Sequence, residues 1–171
     1  MAAATGAKTI FRTLVTDTAT TDVEGVGRIR WEDDKCYRWV CNPTTNFTPA
    51  KGNLLCHQFT DGTTAFQNIY KPATATLGFM AGVAVGTISA STGTNPFTYG
   101  WIQIHGSNVD LPVTGTVGAG ASLIPVNGQV YAAQGQAMGT APNYKRLATM
   151  LDSVTTSTAA AGSNVWISCL A

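Results

Sequence analysis

Charge is scarce in this chain. Only 11% of its 171 residues are Asp, Glu, Lys or Arg, where soluble domains average about 25%, and the formal net charge is +1. The shortage is sharpest from Pro72 to Tyr144, where Asp110 is the sole formally charged side chain. Basic residues form no stripe able to neutralise phosphates, so nucleic acid is not an expected partner. Histidine is nearly absent, with only His57 and His105, which leaves little material for acid–base chemistry. Long hydrophobic runs are missing too. The segment "MAAATGAKTIFR" lacks the apolar stretch of a signal peptide, so synthesis and folding in a cytoplasm are expected. The run "ATATLGFMAGVAVGTISA" at 73–90 is interrupted by Gly and Thr and reads as buried strand, so no membrane partner is expected either.

What is present is Thr, Ser, Ala, Gly and Val, a composition that suits strands and tight turns. A mass of 17.8 kDa fits one domain with a real core. Residues 1 to about 9 show no periodicity and read as a flexible arm, while "IFRTLV" at 10–15 alternates as a first strand. The division adopted is an N-terminal arm, 1–17, and a single β domain, 18–171. "GRIRW" and "CYRWV" flank the acidic turn "EDDK", which predicts a hairpin. A second is expected about Asp61-Gly62 and a third about Asn127-Gly128. "NYKRLATMLDSV" has helical spacing at Leu147, Met150, Leu151 and Val154, but an internal echo favours strand. The stretches 81–104 and 146–170 both run from a small-residue strand through a Ser/Thr/Gly connection to Trp-Ile. The expected fold is all-β, a small barrel or sandwich of short strands with the flexible arm attached.

Chemical candidates fare poorly. His105, Ser107 and Asp110 have the makings of a hydrolytic triad, yet within six residues of strand and turn they do not converge from separate elements. Cys36, Cys41, Cys56 and His57 raise zinc, but their spacing alternates them across strand faces, so buried or edge thiols are expected. Glu32, Asp33 and Asp34 raise calcium, against a solvated hairpin tip. "GTVGAGAS" at 115–122 precedes a strand signal rather than a helix, so it cradles no phosphate. Tyr37, Trp39, Tyr99 and Trp101 are aromatics in strands, suited to core or subunit packing. No enzyme, metal or cofactor is expected. A charge-poor surface with unpaired strand edges suits assembly, and a closed homo-oligomer, a homotrimer, is expected.

The segments "GRIRWEDDKCYRWVCN" and "TPAKGNLL", "GVAVGTISA" leading to "YGWIQIHG", "VGAGASLIPVNGQVYAAQG", and the closing "ATMLDSV" and "NVWISCL" together resemble the small capsid decoration, or cement, proteins of tailed bacteriophages. The resemblance covers about residues 25–171. It implies a β-rich, usually trimeric protein that binds the outside of an icosahedral head, with the major capsid protein as partner and the outer virion surface as location. It also implies an arm that reaches a neighbouring copy or the shell. Residues expected at such interfaces are Ile10, Phe11 and Leu14 from the arm, with Tyr99, Trp101 and His105. Cys36, Cys41 and the Thr-rich tracts depart from the family pattern. The alternative is a tail- or fibre-associated module that recognises host sugars through Trp31, Tyr99 and Trp101.

Overall fold

The computed structural model describes residues 11–57, 67–73, 80–134, 148–152 and 164–169, and the backbone of 154–160. Every regular element among them is a strand. The N-terminal third holds β1 (Thr18–Ala19), β2 (Ile29–Glu32), β3 (Lys35–Asn42) and β4 (Leu54–Cys56). The middle holds β5 (Met80–Ala84), β6 (Thr98–Asn108), β7 (Val113–Val117), β8 (Ser122–Pro125) and β9 (Ala132–Gln134). The chain closes with β10 (Ala148–Met150), β11 (Val154–Ala160) and β12 (Val165–Ser168).

The strands form one mixed sheet in the order β11-β7-β9-β8-β10-β12-β6-β3-β2, with β1 and β5 also pairing with β6, and β4 with β5. Pairing is antiparallel throughout except between β7 and β9, where Val113 lies opposite Ala132. The terminal strands of this order do not pair with each other, so the sheet is open. The barrel alternative is thereby corrected, and the arrangement is sandwich-like. One buried cluster draws on Val40, Leu54, Val83, Ile102, Val113, Leu123, Met150 and Ile167, residues from both ends of the sheet. Burying them together requires the sheet to fold over itself.

The β6 strand is the keel. Ile102 and Ile104 enter the main core while Trp101 enters a second cluster with Tyr37 and Trp39, so both faces of the strand are covered. Its far end carries a buried amide network. Gln103 donates to the carbonyls of His105 (3.1 Å) and Ser107 (2.8 Å), and Asn108 donates to Gln103 Oε1 (2.8 Å). Asn108 Oδ1 in turn accepts from the backbone of Asp110 and Leu111. Side chains thus satisfy polar groups that the irregular pairing between Cys36/Tyr37 and His105/Gln103 leaves off the ladder.

The first and third expected hairpins form. Glu32 pairs with Lys35 across a two-residue loop in which Asp33 has φ 52°. In the third, Ile124 pairs with Ala133, but the connection is longer than two residues. Val126 C=O accepts from Gln129 N, and positive φ falls on Gly128 and not on Asn127, the pattern of a type II turn rather than a mirror-image one. The Asp61-Gly62 turn lies outside the described residues. Cys56 and Tyr70 nevertheless exchange both backbone hydrogen bonds (3.0 and 2.8 Å), while all three residues of β4, Cys56 included, pair with β5.

The expected strand at 10–15 is a correction. Residues 11–15 are irregular, and the first strand is β1, paired with Tyr99 and Gly100. The alternation of Phe11 and Val15 marks side chains that cover the second cluster, not strand pairing. At the other end strand prevails over helix at 148–150, with 141–147 outside the described residues. The echo matches in pairing, since β5 joins β6 and β10 joins β12, both antiparallel.

Candidate docking face

The β2 strand enters the sheet through a glycine-led bulge. Gly27 (φ 89°) and Arg28 together oppose Trp39: Gly27 N donates to Trp39 C=O (2.8 Å) and Trp39 N donates to Arg28 C=O (2.9 Å). Asp22 holds the approach, accepting from Gly25 N, Val26 N and the Trp39 indole. Beyond the bulge, the antiparallel alternation places hydrogen-bonded pairs at Arg30/Tyr37 and Glu32/Lys35. The backbone N–H and C=O groups of Ile29 and Trp31 therefore point away from β3. Since β2 ends the strand order, they face an edge unpaired among the described residues.

That edge borders an aromatic face. The Trp31 side chain is 57% exposed and lies edge-on to His105, with ring centroids 5.7 Å apart. His105 in turn meets Trp166, itself 36% exposed, at 5.3 Å. Three strands, β2, β6 and β12, thus contribute one indole–imidazole–indole row, with exposed Ile29 beside it. The hairpin tip is pinned to the same sheet, because Ser107 donates to Asp34 Oδ2 from both Oγ (2.7 Å) and N (3.2 Å). The Ser107 hydroxyl bond is the main reason that the Asp34 carboxyl sits below its ordinary value.

A second aromatic cluster lies beneath residues 11–26. Trp101 packs against Trp39 (5.2 Å) and Phe11 (5.7 Å), and Tyr99 stacks on Trp39 (6.4 Å, 8° between planes). Arg28 and Arg30 lie over the Phe11 ring at 5.2 and 4.9 Å. The segment is clasped by Glu24, whose Oε1 accepts from Arg12 N (2.6 Å), Thr13 N (2.7 Å) and Thr13 Oγ1 (2.8 Å). Thr13 also accepts from the Trp101 indole and, through its carbonyl, from Arg30. Glu24→Gln, which keeps the shape and removes the charge assistance, is expected to loosen this clasp by about 1 kcal/mol. Trypsin cleavage after Arg12 should then run about fivefold faster, as limited proteolysis would record.

Five of the six residues expected at interfaces are described, and they separate into two groups. Phe11, Tyr99 and Trp101 meet in the clasped cluster, where Trp101 is 1% exposed and already covered by the chain itself. Leu14 projects from the same segment, 65% exposed. His105 belongs to the other face, and Ile10 lies outside the described residues. Sequence reasoning missed Ile29 and gave Trp166 no role. Its alternation with buried Val165 and Ile167 was the available signal that this indole faces outward.

The remaining candidates disperse. Ser107 bonds Asp34, Asp110 pairs with Lys51 (3.0 Å), and His105 lies between indoles, so the three do not form a triad. All four cysteines are buried thiols, and no group of three or more possible metal ligands occurs among the described residues. Burial pushes the Cys41 thiol up to about 12 and raises Cys169 as well, which keeps both protonated and unreactive. Glu32 of the acidic turn is bound to Arg30.

No family model matches the chain, and no curated protein matches it. Among solved structures it is similar to the N-terminal base of the head fibre protein gp8.5 of bacteriophage phi29. The TM-score is 0.47 at 10% identity, over 78% of this chain and 93% of that one. That likeness is too loose to carry a function across.

Proposed function

We propose that the protein is a structural component of a phage virion, a decoration protein that binds the outer surface of an icosahedral head and stabilises it without catalysis. The observation that carries this reading is the exposed Trp31–His105–Trp166 row beside an open strand edge, on a body with a formal net charge of +1. Aromatic side chains on rigid strands give large contact area at low entropic cost. Weak charge leaves copies free to crowd on a lattice. The assignment to phage heads comes from the sequence resemblance. The oligomer proposed is a closed trimer, each copy presenting its face to the major capsid protein, so that modest contacts add through multivalency.

The test is addition of purified protein to expanded shells that lack it. Saturable binding and a higher shell disruption temperature are expected, and absence of binding at any concentration overturns the reading. Exposure of Trp31 and Trp166 also favours a second reading, a sugar-binding module for host attachment. Glycan binding by the isolated protein with no affinity for shells would select it. In that module Trp101 has no surface to offer, so Trp166 takes its place beside Trp31.

A further inference from the structure

We infer that the open edge of β2 is a self-association site, where two copies of the chain pair antiparallel about a two-fold axis through Arg30. Backbone geometry fixes the register. Only Ile29 and Trp31 turn their N–H and C=O groups outward, so Ile29 of one copy must oppose Trp31 of the other, giving two hydrogen-bonded residue pairs. A slip of one residue sets outward groups against inward ones, and a slip of two leaves one outward residue on each copy unmatched.

Charge fits the same register. Arg28 falls opposite Glu32 at both ends of the pairing, and their side chains are 37% and 38% exposed. The two Arg30 side chains meet at the axis, but each is already engaged by its own Glu32, by the Thr13 carbonyl and by the Phe11 ring. Ile29 and Trp31 lie on one face of the strand, the face that carries His105 and Trp166. Pairing therefore joins two short apolar rows into one stripe across the axis. The edge also lacks the usual guards, since its charged residues, Arg30 and Glu32, face away from that stripe and bind each other. An edge complementary to itself in hydrogen bonds and in charge selects a second copy over an unrelated extended peptide.

The inference does not rest on shell binding and is tested without shells, by native mass spectrometry and sedimentation of the full chain. An even number of chains is expected; with the trimer proposed above that number is six, two trimers joined across their β2 edges. Ile29→Pro removes an outward N–H without touching the β2–β3 ladder, a position where an edge strand accepts proline, and should halve the mass. Trp31→Lys, at an exposed site, should also halve it and decides the matter if the proline variant does not fold. An odd number of chains in the native protein, or an even mass unchanged by Trp31→Lys, overturns the inference. So does a monomer at all concentrations, as would follow if the chain's own residues 1–10 or a shell segment filled the edge.

Discussion

Gly106→Ala is expected to cost about 3–5 kcal/mol, lowering Tm by roughly 10 °C in a chain of this size. Gly106 has φ 98°, and a Cβ there would stand 2.2 Å from the Asp34 carbonyl oxygen and 3.0 Å from Lys35 Cα. Both neighbours are backbone, so neither can swing aside. Relief requires lifting the β2–β3 turn off β6, which would also break the Ser107 bonds to Asp34. Gly128→Ala is the matched control: its φ of 70° carries strain, but nothing lies within 4 Å. That change is expected to cost about 1 kcal/mol. Thermal unfolding of the two variants checks the difference, and equal losses would mean that the turn is not held against β6.

Acid should destabilise the protein well before its carboxylates protonate. Burial is the main reason that His57 titrates at about 4 rather than 6.5, with nearby Arg38 adding to the effect and the bond to the Asn68 carbonyl opposing it. Between those values the unfolded chain binds a proton that the folded chain refuses, so stability falls as pH drops from 6.5 to about 4. The loss accumulates to about 3 kcal/mol. Asp34 acts later. Its folded value lies below 3.8, so its contribution is present above that pH and is lost only as pH falls further. Urea unfolding at several pH values, on the protein and on His57→Asn, separates the two. The variant keeps a donor to Asn68 and should lose the slope above pH 4, and an unchanged slope would refute the role of His57.

Local chemistry was legible and long-range pairing was not. The acidic turn at 33–34 and the Asn127-Gly128 turn announce their hairpins because turn residues act within four positions. Nothing local tells β12 to sit beside β6, or β3 to take its other flank, since those choices follow from how the whole sheet closes over Ile102 and Ile104. The same limit explains the segment 11–15, whose alternation is real but serves to cover Trp39 and Trp101. It explains the docking face too. Trp101-Ile102 and Trp166-Ile167 look alike in sequence, yet one indole is buried and the other half-open, because residues 11–26 cover only the first. Of the interface residues expected from sequence, Phe11, Tyr99 and Trp101 therefore lie in the covered cluster, while Leu14 projects from the covering segment and His105 lies on the other face.

The placement of β6 between β3 and β12 has a bearing on biosynthesis. Its β3 flank is available as soon as it leaves the ribosome, as are the stretches that pair with β1 and β5, but its end from His105 to Asn108 must wait until residues 165–168 have been translated. During that interval this end of the strand's edge and the part of the main core that Val165 and Ile167 complete stand open to other nascent chains. Such non-local closure is slow and exposed to aggregation, so the yield of native protein should depend more on expression rate and temperature than on the stability of the finished fold.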